Sequence, residues 1–121
     1  MPKKILIVDD DAEVRTAVRR LFKHRGYETV LAENGQAVME MLADPGQRID
    51  AIVSDVCMPG MDGIALLDAL KRKAPRIPIV LVTAHGTVAN AVKALKSGAV
   101  DYLLKPFSND QLVKTVEDAL Q

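Results

Sequence analysis

Five short apolar runs punctuate the chain: KILIV at 4–8, ETVLA at 28–32, DAIVS at 50–54, IPIVLV at 77–82 and VDYLL at 100–104. Three of them are continuously apolar and rich in Ile and Val, the pattern of strands buried on both faces. The segments between them follow a helical period instead. Val14, Ala17, Val18, Leu21 and Phe22 make one stripe, with Gly26 as its stop. Ala37, Val38, Met41 and Leu42 make a second, and Ile64, Leu67 and Leu70 a third. Val88, Ala91, Val92 and Leu95 form the fourth, ended by Gly98. Leu112, Val113, Val116 and Leu120 form the fifth, with Ser108 as its N-cap. Such alternation predicts an α/β domain, (βα)5, whose mostly parallel sheet is covered by helices on both faces. No linker, repeat or low-complexity tract interrupts it, so residues 1–121 read as one domain.

Right-handed crossovers and five strands favour the doubly wound, flavodoxin-like order 2-1-3-4-5. Its switch point lies between the first and third strands, and ligands bind there, outside the carboxyl ends of the strands. The first strand runs into Asp9 and Asp10, with Asp11 just beyond. The third ends at Asp55, and a loop holding Pro59, Gly60 and Gly63 turns the chain back at once. Like charges this close repel, and a hard divalent cation, Mg²⁺ or Mn²⁺, removes the conflict with oxygen ligands. A plainer reading has Asp10 or Asp11 capping the first helix and Asp9 solvated; Asp55 on the neighbouring strand tips the balance toward the metal. The fourth strand brings Thr83 to the same edge and the fifth brings Lys105, which precedes Pro106. Carboxylates, a hydroxyl and an ammonium together suit phosphoryl transfer, which depends on positioning and charge neutralisation. Asp55 would be the nucleophile.

Composition narrows the partners. Sixteen basic and sixteen acidic residues cancel, and four aromatic residues without Trp leave little to stack on bases, so direct nucleic-acid binding is not expected. The N-terminal apolar run is too short for a signal peptide or a membrane span. A single cysteine, Cys57, excludes an internal disulfide, and the expectation is a soluble, cytoplasmic domain. Arg15, Arg19 and Lys23 line one face of the first helix, with Arg20 and Arg25 nearby. That face is either simply solvated or a docking surface beside the crevice.

The succession VDDD, SDVCMPGMDG, VTAHG and DYLLKPF, at these spacings, resembles the receiver domain of two-component response regulators across essentially the whole chain. The wording AVKALKSGAVDYLLKPF is most similar to receivers of nitrogen- and symbiosis-regulator type. The resemblance implies that Asp55 accepts a phosphoryl group from the phosphohistidine of a sensor histidine kinase. Asp10 and Asp55 would then bind Mg²⁺ directly, Asp9 through a water and Cys57 through its backbone carbonyl. Lys105 would contact the phosphoryl group, and Thr83 would bond to it once its loop shifts. Ala84 would leave room beside that group, and Tyr102 would turn inward as Thr83 moves. The Lys105–Pro106 peptide would be cis. Cys57 and His85 would flank the phosphoryl group and tune its lifetime; as zinc ligands the two fall short of the usual four. The fourth helix, fifth strand and fifth helix, with Lys93, Lys96, Asp101 and Tyr102, would serve output or homodimerisation on phosphorylation. Such a domain catalyses only its own phosphorylation and dephosphorylation and turns over no external substrate. Receivers of this type are usually fused to DNA-binding or ATPase output domains. None is present in this sequence, and the end at VEDALQ leads us to expect a piece of a longer regulator.

Three rival readings remain on the residues. A phosphatase of the haloacid dehalogenase type needs a second Asp two residues after the nucleophile, where this chain has Cys57. An FMN carrier needs a hydroxyl- and glycine-rich loop after the first strand, where DDDAEVR would repel a phosphate. A pseudo-receiver, an interaction module with the chemistry lost, would be missing an active-site residue type, and here none is missing.

Overall fold

Strand β1 (Lys4–Val8) is flanked on both sides, which explains why Ile5, Leu6, Ile7 and Val8 are all buried. The computed structural model describes residues 2–56, 63–83, 88–104 and 108–120. After β1 come α1 (Ala12–His24), β2 (Glu28–Ala32), α2 (Gly35–Ala43), β3 (Ala51–Asp55) and α3 (Gly63–Lys73). Then follow β4 (Ile79–Thr83), α4 (Val88–Lys96), β5 (Asp101–Leu104) and α5 (Asn109–Ala119). The sheet is parallel throughout, in the order β2-β1-β3-β4-β5 that the alternation predicted.

Side chains alternate across the sheet and build two cores. Leu6, Val8, Ile52, Ile79 and Leu81 face Val38, Leu66, Leu67, Leu70 and Ala94, so α2, α3 and α4 cover this side. Ile5, Ile7, Ala51, Val53, Val80, Val82 and Leu103 face Phe22, Leu112, Val113 and Val116 from α1 and α5. The helix ends follow local chemistry. Asp11 caps α1 by accepting from the Glu13 amide, Asn34 caps α2, and Ser108 caps α5 as its position suggested. Gly26 and Gly98 take φ of 91° and 110°, a region that strains any residue with a Cβ.

Two boundaries moved in a way that matters. The run DAIVS placed the start of the third strand at Asp50; the strand begins at Ala51 and ends at Asp55, as read from the sequence. Asp50 instead turns its carboxylate to the Lys4 amide, 2.7 Å away, and to Arg48 Nε at 3.3 Å. The fourth strand was expected at 77–82 and runs from Ile79 to Thr83, starting after Pro78, which has no N–H to donate. Asp55 and Thr83 are thereby the last residues of their strands.

The fourth helical stripe is corrected. Val92 and Leu95 are 44% and 46% exposed, while Ala94 is fully buried; the side chains of Val88 and Ala91 lie outside those described. The period marks an apolar face correctly, but Val92 and Leu95 on it stay exposed, and the small Ala94 is what packs into the core. Ala17, placed in the first stripe, is likewise exposed.

Candidate functional site at the strand ends

Parallel pairing aligns the carboxyl ends of β1, β3 and β4 along one edge, since Val8 lies opposite Ser54 and Asp55 opposite Val82. What the chain places just past those ends must therefore meet. Asp9, Asp10 and Asp55 do meet: one carboxylate oxygen of each lies within 4.8 Å of the others. Asp9 and Asp55 are 3% and 9% exposed, whereas Asp10 opens to solvent. Three oxygen donors from carboxylates, two of them buried, suit a hard divalent cation. The donor set therefore fits the implied metal.

Several hydrogen bonds hold Asp9. Its amide donates to the Ala32 carbonyl at 3.2 Å, tying it to β2. Its Oδ1 accepts from the Asp11 amide at 2.9 Å. Its carbonyl accepts from the Arg15 guanidinium at 2.6 Å. The plainer alternative thus holds for Asp11, which caps α1, and fails for Asp9, which is buried rather than solvated. Ser54, fully buried, donates from Oγ to the Asp55 carbonyl at 3.0 Å and steadies the strand end. Neither Ser54 nor the link from Arg15 was foreseen. An Arg six residues after Asp9 carries a weak signal, because the basic stripe already gave it another reading. Arg25, near that stripe, is paired with Asp110 at 2.8 Å.

Thr83 is 1% exposed and sits one residue beyond the partner of Asp55 on the adjacent strand. Leu81 pairs with Tyr102 and Thr83 with Leu104, so Thr83 and Tyr102 share one face of the sheet, two residues apart in register. Tyr102 is partly buried against the core under α3 and α4. Cys57, Ala84, His85, Lys105 and Pro106 lie outside the described residues, as does the Pro59–Gly60 turn.

Comparison with known proteins agrees with this geometry. Residues 5–117 match the model of the response regulator receiver domain. The chain belongs to the receiver domain family. Among its relatives, the transcriptional regulatory protein FixJ of Bradyrhizobium diazoefficiens is 42% identical over 117 residues, covering 97% of this chain and 56% of FixJ. The DNA-binding transcriptional regulator NtrC of Escherichia coli is 41% identical over 116 residues, covering 96% of the chain and 24% of NtrC. The receiver therefore spans about half of one relative and a quarter of the other. The crystal structure of the receiver domain of NtrX from Brucella abortus superposes with a TM-score of 0.88 at 34% identity, covering 96% of this chain and 97% of that one. Likeness to nitrogen- and symbiosis-type regulators, read from the sequence, is thus borne out. Among the described residues no helix of this receiver is long and apolar enough to cross a membrane.

Proposed function

We propose that this receiver accepts a phosphoryl group on Asp55 from the phosphohistidine of a sensor histidine kinase and relays the change to a transcription-regulating output. The convergence of Asp9, Asp10 and Asp55 at the strand ends carries this reading. An Asp55 oxygen attacks phosphorus, forming a P–O bond. The P–N bond breaks, its electron pair stays on the imidazole nitrogen, and that nitrogen takes up a proton. Asp9, Asp10 and Asp55 would hold Mg²⁺, with the Cys57 carbonyl as a further donor. Bound there, the ion offsets negative charge on the phosphoryl oxygens. Asp55 is presented at the tip of a buried strand, so its attack is directed outward into the crevice. The aspartyl phosphate carries more charge than the carboxylate and three strong acceptor oxygens.

Those acceptors drive the switch. The Thr83 hydroxyl, on the next strand end, and the Lys105 ammonium bond to them once their loops move. Each charge-assisted bond contributes roughly 1.5–3 kcal/mol, enough to shift a two-state loop by one to two orders of magnitude. Tyr102, on the same sheet face as Thr83, follows into the space vacated. The output surface is read from exposure: Val92, Leu95, Val100 and Leu104 are 44–54% exposed on α4, β5 and the loop between them. Exposed apolar side chains on these elements would suit a protein partner there. The regulatory names of FixJ and NtrC support a transcriptional output.

The test is intact mass after incubation with acetyl phosphate, with and without Mg²⁺, for the wild type and Asp55→Asn. One added phosphoryl group that needs both Mg²⁺ and Asp55 is expected. An adduct that persists in Asp55→Asn would overturn the assignment. Absence of both an adduct and phosphate release would mean a pseudo-receiver.

A further inference from the structure

Arg15 stands in the basic stripe of α1, yet its side chain does not simply extend into solvent with that stripe. Its guanidinium donates to the Asp9 carbonyl at 2.6 Å, and its flank lines a groove of about 320 Å³ with Leu31, Ala32, Glu33 and Ala37. The acceptor is the carbonyl of the peptide that joins Asp9 to Asp10, two members of the acidic cluster. A planar peptide turns as a unit, so fixing its carbonyl fixes the direction in which the chain leaves for Asp10. Asp9 has further anchors, at the Ala32 carbonyl and the Asp11 amide. Asp10 is exposed, and the Asp9–Asp10 peptide is what relays that anchoring to it.

We infer that Arg15 is a positioning residue for the metal site: it braces the Asp9–Asp10 peptide so that the Asp10 carboxylate stays converged with those of Asp9 and Asp55. The inference rests on the metal-binding reading of the cluster. It makes a counterintuitive prediction about sign. A guanidinium beside a cation site repels the cation, so on charge alone its removal would tighten binding. If bracing dominates, removal loosens a ligand and weakens binding despite the lost repulsion. Groups that orient metal ligands from behind typically contribute 10–100-fold in affinity, and relieved repulsion recovers only part of that where Asp10 opens the site to solvent.

Mg²⁺ affinity would be measured by calorimetric titration, and Mn²⁺ affinity by electron paramagnetic resonance, at fixed ionic strength. The proteins are the wild type, Arg15→Met, Arg15→Lys and Lys114→Met. The last removes the same net charge from an exposed site on α5. We expect about tenfold weaker binding in Arg15→Met, an intermediate value in Arg15→Lys, and wild-type affinity in Lys114→Met. Melting in EDTA accompanies each titration; a merely structural role would lower the melting temperature and leave the dissociation constant unmoved. Unchanged or tighter binding in Arg15→Met, with the wild type binding normally, would overturn the inference alone. A wild type that binds neither ion would overturn the metal site and the inference together. Should Arg15→Met not fold, Arg15→Lys decides, because wild-type affinity there would show that the guanidinium bond to the carbonyl is dispensable.

Discussion

Asp10→Asn should make the protein more stable without metal and less stable with it, so that the two melting curves cross as Mg²⁺ is added. The carboxylates of Asp9, Asp10 and Asp55 offer oxygens within 4.8 Å of one another. At that separation a pair of unit charges repels by about 0.9 kcal/mol even at the dielectric constant of water. Asp10 faces two such partners, and physiological salt with its Debye length of about 8 Å cuts the total to roughly 1 kcal/mol. A domain of 121 residues has an unfolding entropy near 0.25 kcal/mol/K, which converts that repulsion to a gain of about 4 °C in EDTA. Magnesium reverses the order. At a concentration 100 times its dissociation constant it stabilises the wild type by about 2.7 kcal/mol, whereas a variant binding 100-fold more weakly gains about 0.4 kcal/mol. Differential scanning calorimetry across a Mg²⁺ series, from EDTA to saturation, would follow both curves. A variant that melts at or below the wild type in EDTA would refute the repulsion argument. A wild type whose melting temperature ignores Mg²⁺ would refute the site.

Two predictions concern the scaffold. Gly98→Ala should cost roughly 1–2 kcal/mol, because φ of 110° places a Cβ in the disfavoured left-handed region. The new Cβ would also meet Lys71 Cε at 2.6 Å, but that is the far end of a flexible chain. Adding Lys71→Ala should therefore leave most of the loss in place, and full rescue in urea titrations would show that the clash, not the backbone, sets the cost. The Tyr27 phenol is pushed above its ordinary 10.0, first by burial and then by the charge and hydrogen bond of Glu117, whose Oε2 lies 3.4 Å away. The folded protein thus keeps this proton longer than the unfolded chain does. Its contribution is complete below pH 10 and declines as pH rises through 10 toward the folded value. Tyr27→Phe should flatten the alkaline loss of stability; denaturant midpoints at pH 8 and pH 11 falling equally in both proteins would contradict it.

Much of this receiver could be read before its fold was described. The apolar runs at 4–8 and 28–32 coincide with β1 and β2: KILIV is buried on both faces as an inner strand of a parallel sheet, whereas ETVLA, at the edge, is only half-buried. Strand order followed from crossover handedness, and strand order alone brought Asp9, Asp10 and Asp55 to one crevice. Ser108 as a cap was legible because a hydroxyl one residue before a helix can accept from a first-turn amide, here that of Gln111, which has no partner within the helix. Local chemistry needs only neighbours along the chain.

What needed neighbours across the chain was decided by tertiary structure. Asp50 reads as the first residue of a strand until the β1 backbone presents the Lys4 amide to its carboxylate. Val92 and Leu95 read as core, because helical periodicity reports that a face is apolar and not whether another element covers it. Arg15 reads as one more surface cation in a basic stripe. Only the fold carries the first turns of α1 back over the end of β1, where the guanidinium reaches the Asp9 carbonyl. Sequence determined which groups arrive at the crevice, since period and strand order depend on residue type. Packing decided how those groups are held, since a hydrogen bond depends on distances that residue type does not encode.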